Sequence, residues 1–231
     1  MNVKRITTGN PRAVLIFAGW GIDAHPFEEL SLPGYDIYVA YAFDGLLPAS
    51  QNFTDYDELC IIAWSYGVAA AAEFIVANPQ LPITARVAVN GVLKPVDDKV
   101  GMPETIFRGT LTNLSERSIY KFYRRMFGSQ EAFAEFKKSM PERSVDDLRD
   151  ELHAYECLSQ GCSCSPLLFD RVYINPDDKI LPFASQLRCW ESNPGVRVTP
   201  SNHFPDFQKL LRISFRQKEL VKSRLCHELC G

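Results

Sequence analysis

The stretch LCIIAWSYGVAAAAEF, residues 59–74, decides the fold. Its first six residues are apolar, the pattern of a strand covered on both faces. Ser65-Tyr66-Gly67 breaks the run, and Val68 to Ala77 reads as a helix that stops before Asn78-Pro79. A tight strand-to-helix turn projects the Ser65 hydroxyl outward and leaves backbone N–H groups at the start of the helix. Such an elbow usually reads G-x-S-x-G; here it is Ala63-Trp64-Ser65-Tyr66-Gly67. Gly67 is retained and Ala63 departs by one methyl. The bare pattern is weak, and its strand-turn-helix context gives it weight.

Neighbouring segments continue the alternation. Val14 to Phe17, Tyr35 to Tyr41, Leu59 to Trp64 and Arg86 to Val92 read as strands. Asp23 to Leu30 reads as a short helix with Asp23 as N-cap. This rhythm predicts a parallel sheet with right-handed crossovers. After Lys94-Pro95 it breaks: from about Pro103 to Leu158 there are helical patterns without strands. Two more strands follow, Leu168 to Ile174 and Val196 to Thr199, then a helix from about Pro205 to Cys226. With no repeat, linker or low-complexity tract, the expectation is one domain over residues 1–231 with a helical cap inserted at about residues 100–165. A cap in that place excludes water and shapes a pocket.

Two later residues complete a constellation with Ser65. Asp178 follows the strand-like run LLFDRVYIN and opens Asp178-Lys179-Ile180-Leu181-Pro182, and His203 lies in SNHFPDF just after the final strand. A serine hydroxyl attacks an acyl carbon only when a base takes its proton. His203 is the candidate base, and Asp178 would hold its tautomer and stabilise its cationic form. Asp177 is the adjacent rival acid, with Asp178 favoured because D-x-I-x-P often follows the acid in α/β-hydrolases. Of the other histidines, His25 sits near a possible pocket, His153 in the helical insertion and His227 in the tail. The order Ser, Asp, His along the chain belongs to the α/β-hydrolase fold, which sets the expected fold class: α/β, mostly parallel, with helices on both faces. The intermediate needs two donors for its oxyanion. The N–H of Tyr66 is one; the N–H of Trp20, in the glycine turn Phe17-Ala18-Gly19-Trp20-Gly21 after the first strand, is the other.

The 231 residues carry a net charge of −3, which provides no basic field for nucleic acid or an anionic membrane. No stretch approaches the ~18 apolar residues of a membrane span, and no leader is legible, so a cytoplasmic location is expected. Seven cysteines suit reduced thiols better than a disulfide framework. Neither Cys162-Ser163-Cys164 nor Cys226-His227-Glu228-Leu229-Cys230 has a matching second knuckle, so no metal and no cofactor are expected. One helix in the insertion is amphipathic. Ile119, Phe122, Tyr123, Met126 and Phe127 share a face opposite Arg117, Lys121, Arg124 and Arg125. The cations read either as an ordinary solvated face or as a docking site for an acidic protein.

Taken together, FAGWG, AWSYG, DKILP and SNHFP resemble the BioG-type family of α/β-hydrolases, as do GMPETIFRGTLTNLSE and FYRRMFG in the insertion. The resemblance spans nearly the whole chain; GCSC and CHELC are not features of the family. It implies an esterase of biotin synthesis that removes the methyl group from pimeloyl-[acyl-carrier protein] methyl ester, releasing methanol. It also implies acyl carrier protein as the partner docking on the cationic helix. A general acyl esterase or thioesterase with the same three residues stays open, as does a catalytically silent binding protein on the same fold.

Overall fold

In a computed structural model describing residues 1–161 and 164–215, seven strands form one sheet. Its order is β1 (Asn2–Arg5), β3 (Tyr35–Tyr41), β2 (Arg12–Phe17), β4 (Glu58–Trp64), β5 (Ile83–Val89), β6 (Arg171–Ile174), β7 (Val196–Val198). Only β1 runs antiparallel, against β3; the other pairs are parallel. Strand β2 is buried on both faces from Ala13 to Phe17, as its unbroken apolar run requires. β4 is the middle strand and is equally buried beyond Glu58.

Helix α1 (Gly67–Ala77) leaves β4 through the Ser65 turn and lies back over the sheet with Ala69 to Ala72 fully buried. Small side chains let it approach closely, and Gly67 sets the limit. A Cβ there would stand 2.4 Å from the Ala18 carbonyl oxygen and 2.5 Å from that of Phe17. From β2 the chain passes to β3 on one side, then returns to β4 on the other. The carboxyl ends of β2 and β4 therefore lie side by side where the connections diverge, the place in such sheets where a crevice opens. The loop holding Trp20 and the turn holding Ser65 emerge there.

Between β5 and β6 run α2 (Glu104–Thr112), α3 (Glu116–Arg125), α4 (Gln130–Phe136) and α5 (Val145–Gly161). Ser115 and Ser118 form a reciprocal capping box at the start of α3. As the periodicity requires, Ile119, Tyr123 and Met126 are buried while Arg117, Lys121, Arg124 and Arg125 are exposed. After β6, α6 (Phe183–Cys189) precedes β7.

Several expectations are corrected. Residues 23–30 do not form an α-helix: a 3-10 turn spans His25–Phe27, with Pro26 inside it. Asp23 does not cap it as an N-cap; its carboxylate accepts from His25 N (3.0 Å) and reaches across to Glu142 N (2.7 Å). Leu168 belongs to a 3-10 turn, Pro166–Leu168, and the strand starts at Arg171. β5 begins earlier than Arg86 and ends at Val89, because Asn90 adopts a left-handed φ of 44°. β1 and α6 were not read from sequence: NVKR has a single apolar residue, and α6 is only seven residues long. Near the end of the chain residues 207–215 are helical, and the remainder of the expected Pro205 to Cys226 helix lies outside the described residues.

One buried carboxylate joins β1 to the sheet. Asp36 accepts from Tyr56 Oη (2.7 Å), from Asn10 N (3.0 Å) and Nδ2 (2.9 Å), and from Arg5 Nη2 (2.5 Å). Burial alone would raise its pKa, but the donors outweigh burial and hold it at about 2, below the ordinary 3.8. A pKa depressed by folding contributes stability above the unfolded value and loses it as pH falls through the folded one. Asp36→Asn should therefore lower the melting temperature at pH 7, and the gap to wild type should close as pH falls from about 4 to about 2. Gly67→Ala should cost at least about 1–3 kcal/mol in denaturant unfolding, because the clash is with backbone that cannot move aside.

Candidate active site

Ser65 occupies the turn with φ of 56°, a left-handed conformation unusual for a non-glycine residue. Its N–H donates to Val89 O on β5 (3.0 Å). Its Oγ lies 3.1 Å from His203 Nε2, and His203 Nδ1 lies 2.8 Å from Asp178 Oδ2. The His203 and Asp178 side chains are 1% and 0% exposed. With Nδ1–H donating to the carboxylate, Nε2 is left as an acceptor facing the serine hydroxyl.

Each member is held from behind. Asp178 Oδ1 accepts the N–H groups of Ile180 (2.8 Å) and Leu181 (3.1 Å). Its Oδ2 also accepts from Gln186 Nε2 on α6 (3.1 Å). Asp177 is exposed, and its N–H donates to Asn175 Oδ1 (3.0 Å). The carbonyl of His203 accepts from Trp64 Nε1 (2.6 Å) and Asn90 Nδ2 (3.0 Å), and its N–H donates to Met126 O (2.9 Å). Sequence reasoning missed Gln186 and Asn90. A glutamine in a short helix gives no signal, whereas an asparagine ending a strand hints at a left-handed position.

The glycine turn after β2 presses against Ser65: a Cβ on Gly19 would stand 2.7 Å from Ser65 Cβ. Trp20 and Tyr66 line the crevice beside Ser65. Among the described residues their backbone N–H groups donate to no protein acceptor. Trp20 Nε1 donates to Leu148 O on α5 (2.8 Å), and its ring stacks edge-on against Phe122. Burial pushes the Tyr66 phenol far above its usual pKa, so it stays neutral.

Above these groups lies a mainly apolar cleft, open to solvent. Met102, Ile106, Phe107 and Thr110 wall it from the α2 side; Phe122 and Arg125 come from α3, Leu152 from α5 and Ile180 from the Asp178 loop. A second, cationic groove is lined by Lys121, Arg124, Arg125 and Lys179. Arg125 borders both and donates to Lys179 O (2.5 Å). Arg117 lies on the same helix outside the groove. His25 sits beside Asp23 (3.2 Å) and His153 beside Glu156 (3.6 Å), and neither lines the cleft. Among the described residues no group of three or more His, Cys, Asp or Glu side chains could hold a metal ion. Cys162, Cys226, His227 and Cys230 lie outside the described residues. Among the described residues, no helix is long and apolar enough to cross a membrane.

A mostly parallel sheet with one antiparallel edge strand, and a serine on a strained turn after its middle strand, defines the α/β-hydrolase class. An esterase from Exiguobacterium antarcticum shares that fold, with a TM-score of 0.64 at 16% identity over 99% of this chain and 95% of that one. Within the class the chain belongs to the pimeloyl-ACP methyl esterase BioG family, whose profile matches residues 1–212, and this places it among the carboxylic ester hydrolases. The crystal structure of BioG from Haemophilus influenzae is similar, with a TM-score of 0.77 and 29% identity over 88% of this chain and 94% of that one. An uncharacterized protein of Haemophilus influenzae is 30% identical over 83% of this chain and 87% of its own length. A malonyl-[acyl-carrier protein] O-methyltransferase of Bacteroides fragilis is 36% identical over 78% of this chain; the match spans only 36% of that protein's length.

Proposed function

We propose that the chain is a serine carboxylesterase that hydrolyses the methyl ester of pimeloyl-[acyl-carrier protein] in biotin biosynthesis, in the cytoplasm. The observation that carries this reading is the unbroken hydrogen-bond chain from Ser65 Oγ through His203 to the buried Asp178, in a member of the BioG family. In this reading His203 Nε2 takes the Ser65 proton as Oγ attacks the ester carbonyl carbon. The N–H groups of Trp20 and Tyr66 hold the resulting oxyanion. The imidazolium, steadied by Asp178, returns its proton to the departing methoxide, which leaves as methanol. Water, deprotonated by His203, then attacks the acyl-serine, and the free carboxylate departs with Ser65 restored.

The helical segment at about residues 100–165 serves as the cap of a single domain, and the cleft receives the acyl chain. The malonyl-[acyl-carrier protein] O-methyltransferase relative is named for making a carrier-bound methyl ester, the class of bond proposed here for cleavage. The acidic carrier protein docks on Arg117, Lys121, Arg124 and Arg125. In support, three of these cations meet Lys179 in the groove that Arg125 joins to the cleft.

The test is mass spectrometry of the carrier-bound methyl ester. Loss of one methylene unit with the thioester intact is expected; release of free carrier thiol instead would assign a thioesterase. Ser65→Ala should abolish turnover and fluorophosphonate labelling together. Asp178→Asn should lower kcat by about 10³–10⁴-fold, while Asp177→Asn stays within about twofold. Lys121→Glu with Arg124→Glu should raise KM for the carrier-bound ester about tenfold or more and leave a short aryl ester within about twofold.

A further inference from the structure

Glu151 is 2% exposed in α5, yet it sits on the apolar stripe of that helix with Leu148, Leu152 and Tyr155. Its Oε2 accepts the N–H of Gly21 (3.2 Å), next to Trp20, and its Oε1 accepts the N–H of Phe43 in the loop after β3 (3.1 Å). Arg143, itself largely buried, pairs with Oε2 at 2.6 Å. From the other face of the loop, Tyr123 Oη on α3 donates to Gly21 O (2.6 Å). With the Trp20 indole fixed to Leu148 O, residues 20–21 are gripped on three sides by the helical segment.

Burying a carboxylate is costly unless its partners require one. Here burial pushes the Glu151 pKa up, against the opposing pull of Arg143 and the two N–H groups. What only a carboxylate provides is two acceptor oxygens, one for each loop, with no donor hydrogen.

We propose that Glu151 is a positioning residue: it fixes the Gly19–Gly21 loop so that the N–H of Trp20 meets the oxyanion, making the donor pair depend on where the helical segment sits. The inference rests on the oxyanion role assigned to Trp20 above. Glutamine at 151 has one acceptor oxygen, so its amide N–H₂ must face the N–H of Gly21 or of Phe43 and drive that loop away.

The experiment compares kcat for a short aryl ester with its thiono analogue, in which sulfur replaces the carbonyl oxygen. Sulfur is larger and accepts hydrogen bonds poorly, so the rate ratio reads the fit of the two donors and cancels any loss of folded enzyme. In Glu151→Gln, kcat for the oxygen ester should fall about 10–100-fold with KM within about twofold, and the ratio should fall about tenfold. Tyr123→Phe, which keeps its ring packing, should lower the same ratio severalfold. Ratios equal to wild type in both variants would overturn the positioning role while leaving the esterase reading intact. A wild-type protein inactive on the oxygen ester and unlabelled at Ser65 would overturn both.

Discussion

Everything at the site depends on one close approach: β4 turns into α1 with no room for a side chain at Gly67 or Gly19. Ser65 holds a φ of 56° because the chain must reverse within two residues. A Cβ on Gly67 would then stand 2.4–2.5 Å from the backbone oxygens of β2 and the residue after it. Such strain persists only where the surroundings over-determine it. Here they are the central strand, its parallel neighbours and an alanine-rich helix whose Ala69 to Ala72 are fully buried. The serine is thus placed by backbone packing.

The two ends of the elbow are not equivalent, which explains Ala63. At position 67 a methyl would meet carbonyl oxygen; at position 63 the residue is still inside the strand, paired in register with Phe17 and Ala88. Its side chain points into an ordinary sheet face and is fully buried there. The extra methyl fills space, so the departure from glycine leaves the turn unchanged.

How much of this could be read from sequence follows from the range of the interactions involved. The Ser65 turn is local: apolar run, break and alanine-rich helix all fall within sixteen residues, and its geometry matches that reading. The placing of Asp178 over Asp177 at the histidine is not local. It follows from Asp178 Oδ1 binding the Ile180 and Leu181 N–H groups, and from Asn175 capping Asp177 N–H, so that one carboxylate turns inward and its neighbour outward. β1 was invisible because antiparallel pairing along β3 holds it, with Asp36 reaching Arg5 from the neighbouring strand. Glu151 did carry a signal. In VDDLRDELHAYE, acids and bases suggest a solvated helix, but 148, 151, 152 and 155 share one face, and a lone carboxylate on an apolar stripe asks for buried partners.

Those partners tie the helical segment to the sheet at both ends of the site. Glu151 and Tyr123 hold the loop after β2, while Met126 O, at the end of α3, holds the N–H of His203. The same α3 carries Arg125, which borders the cleft and the cationic groove alike. A force on the exposed face of α3 therefore reaches the histidine loop through one hydrogen bond and the glycine turn through another. The sheet and α1 hold the Ser65 backbone, whereas the two flanking loops are also tied to the helices above them. A displacement of α3 would shift His203 and the Trp20 loop relative to Ser65 and Tyr66.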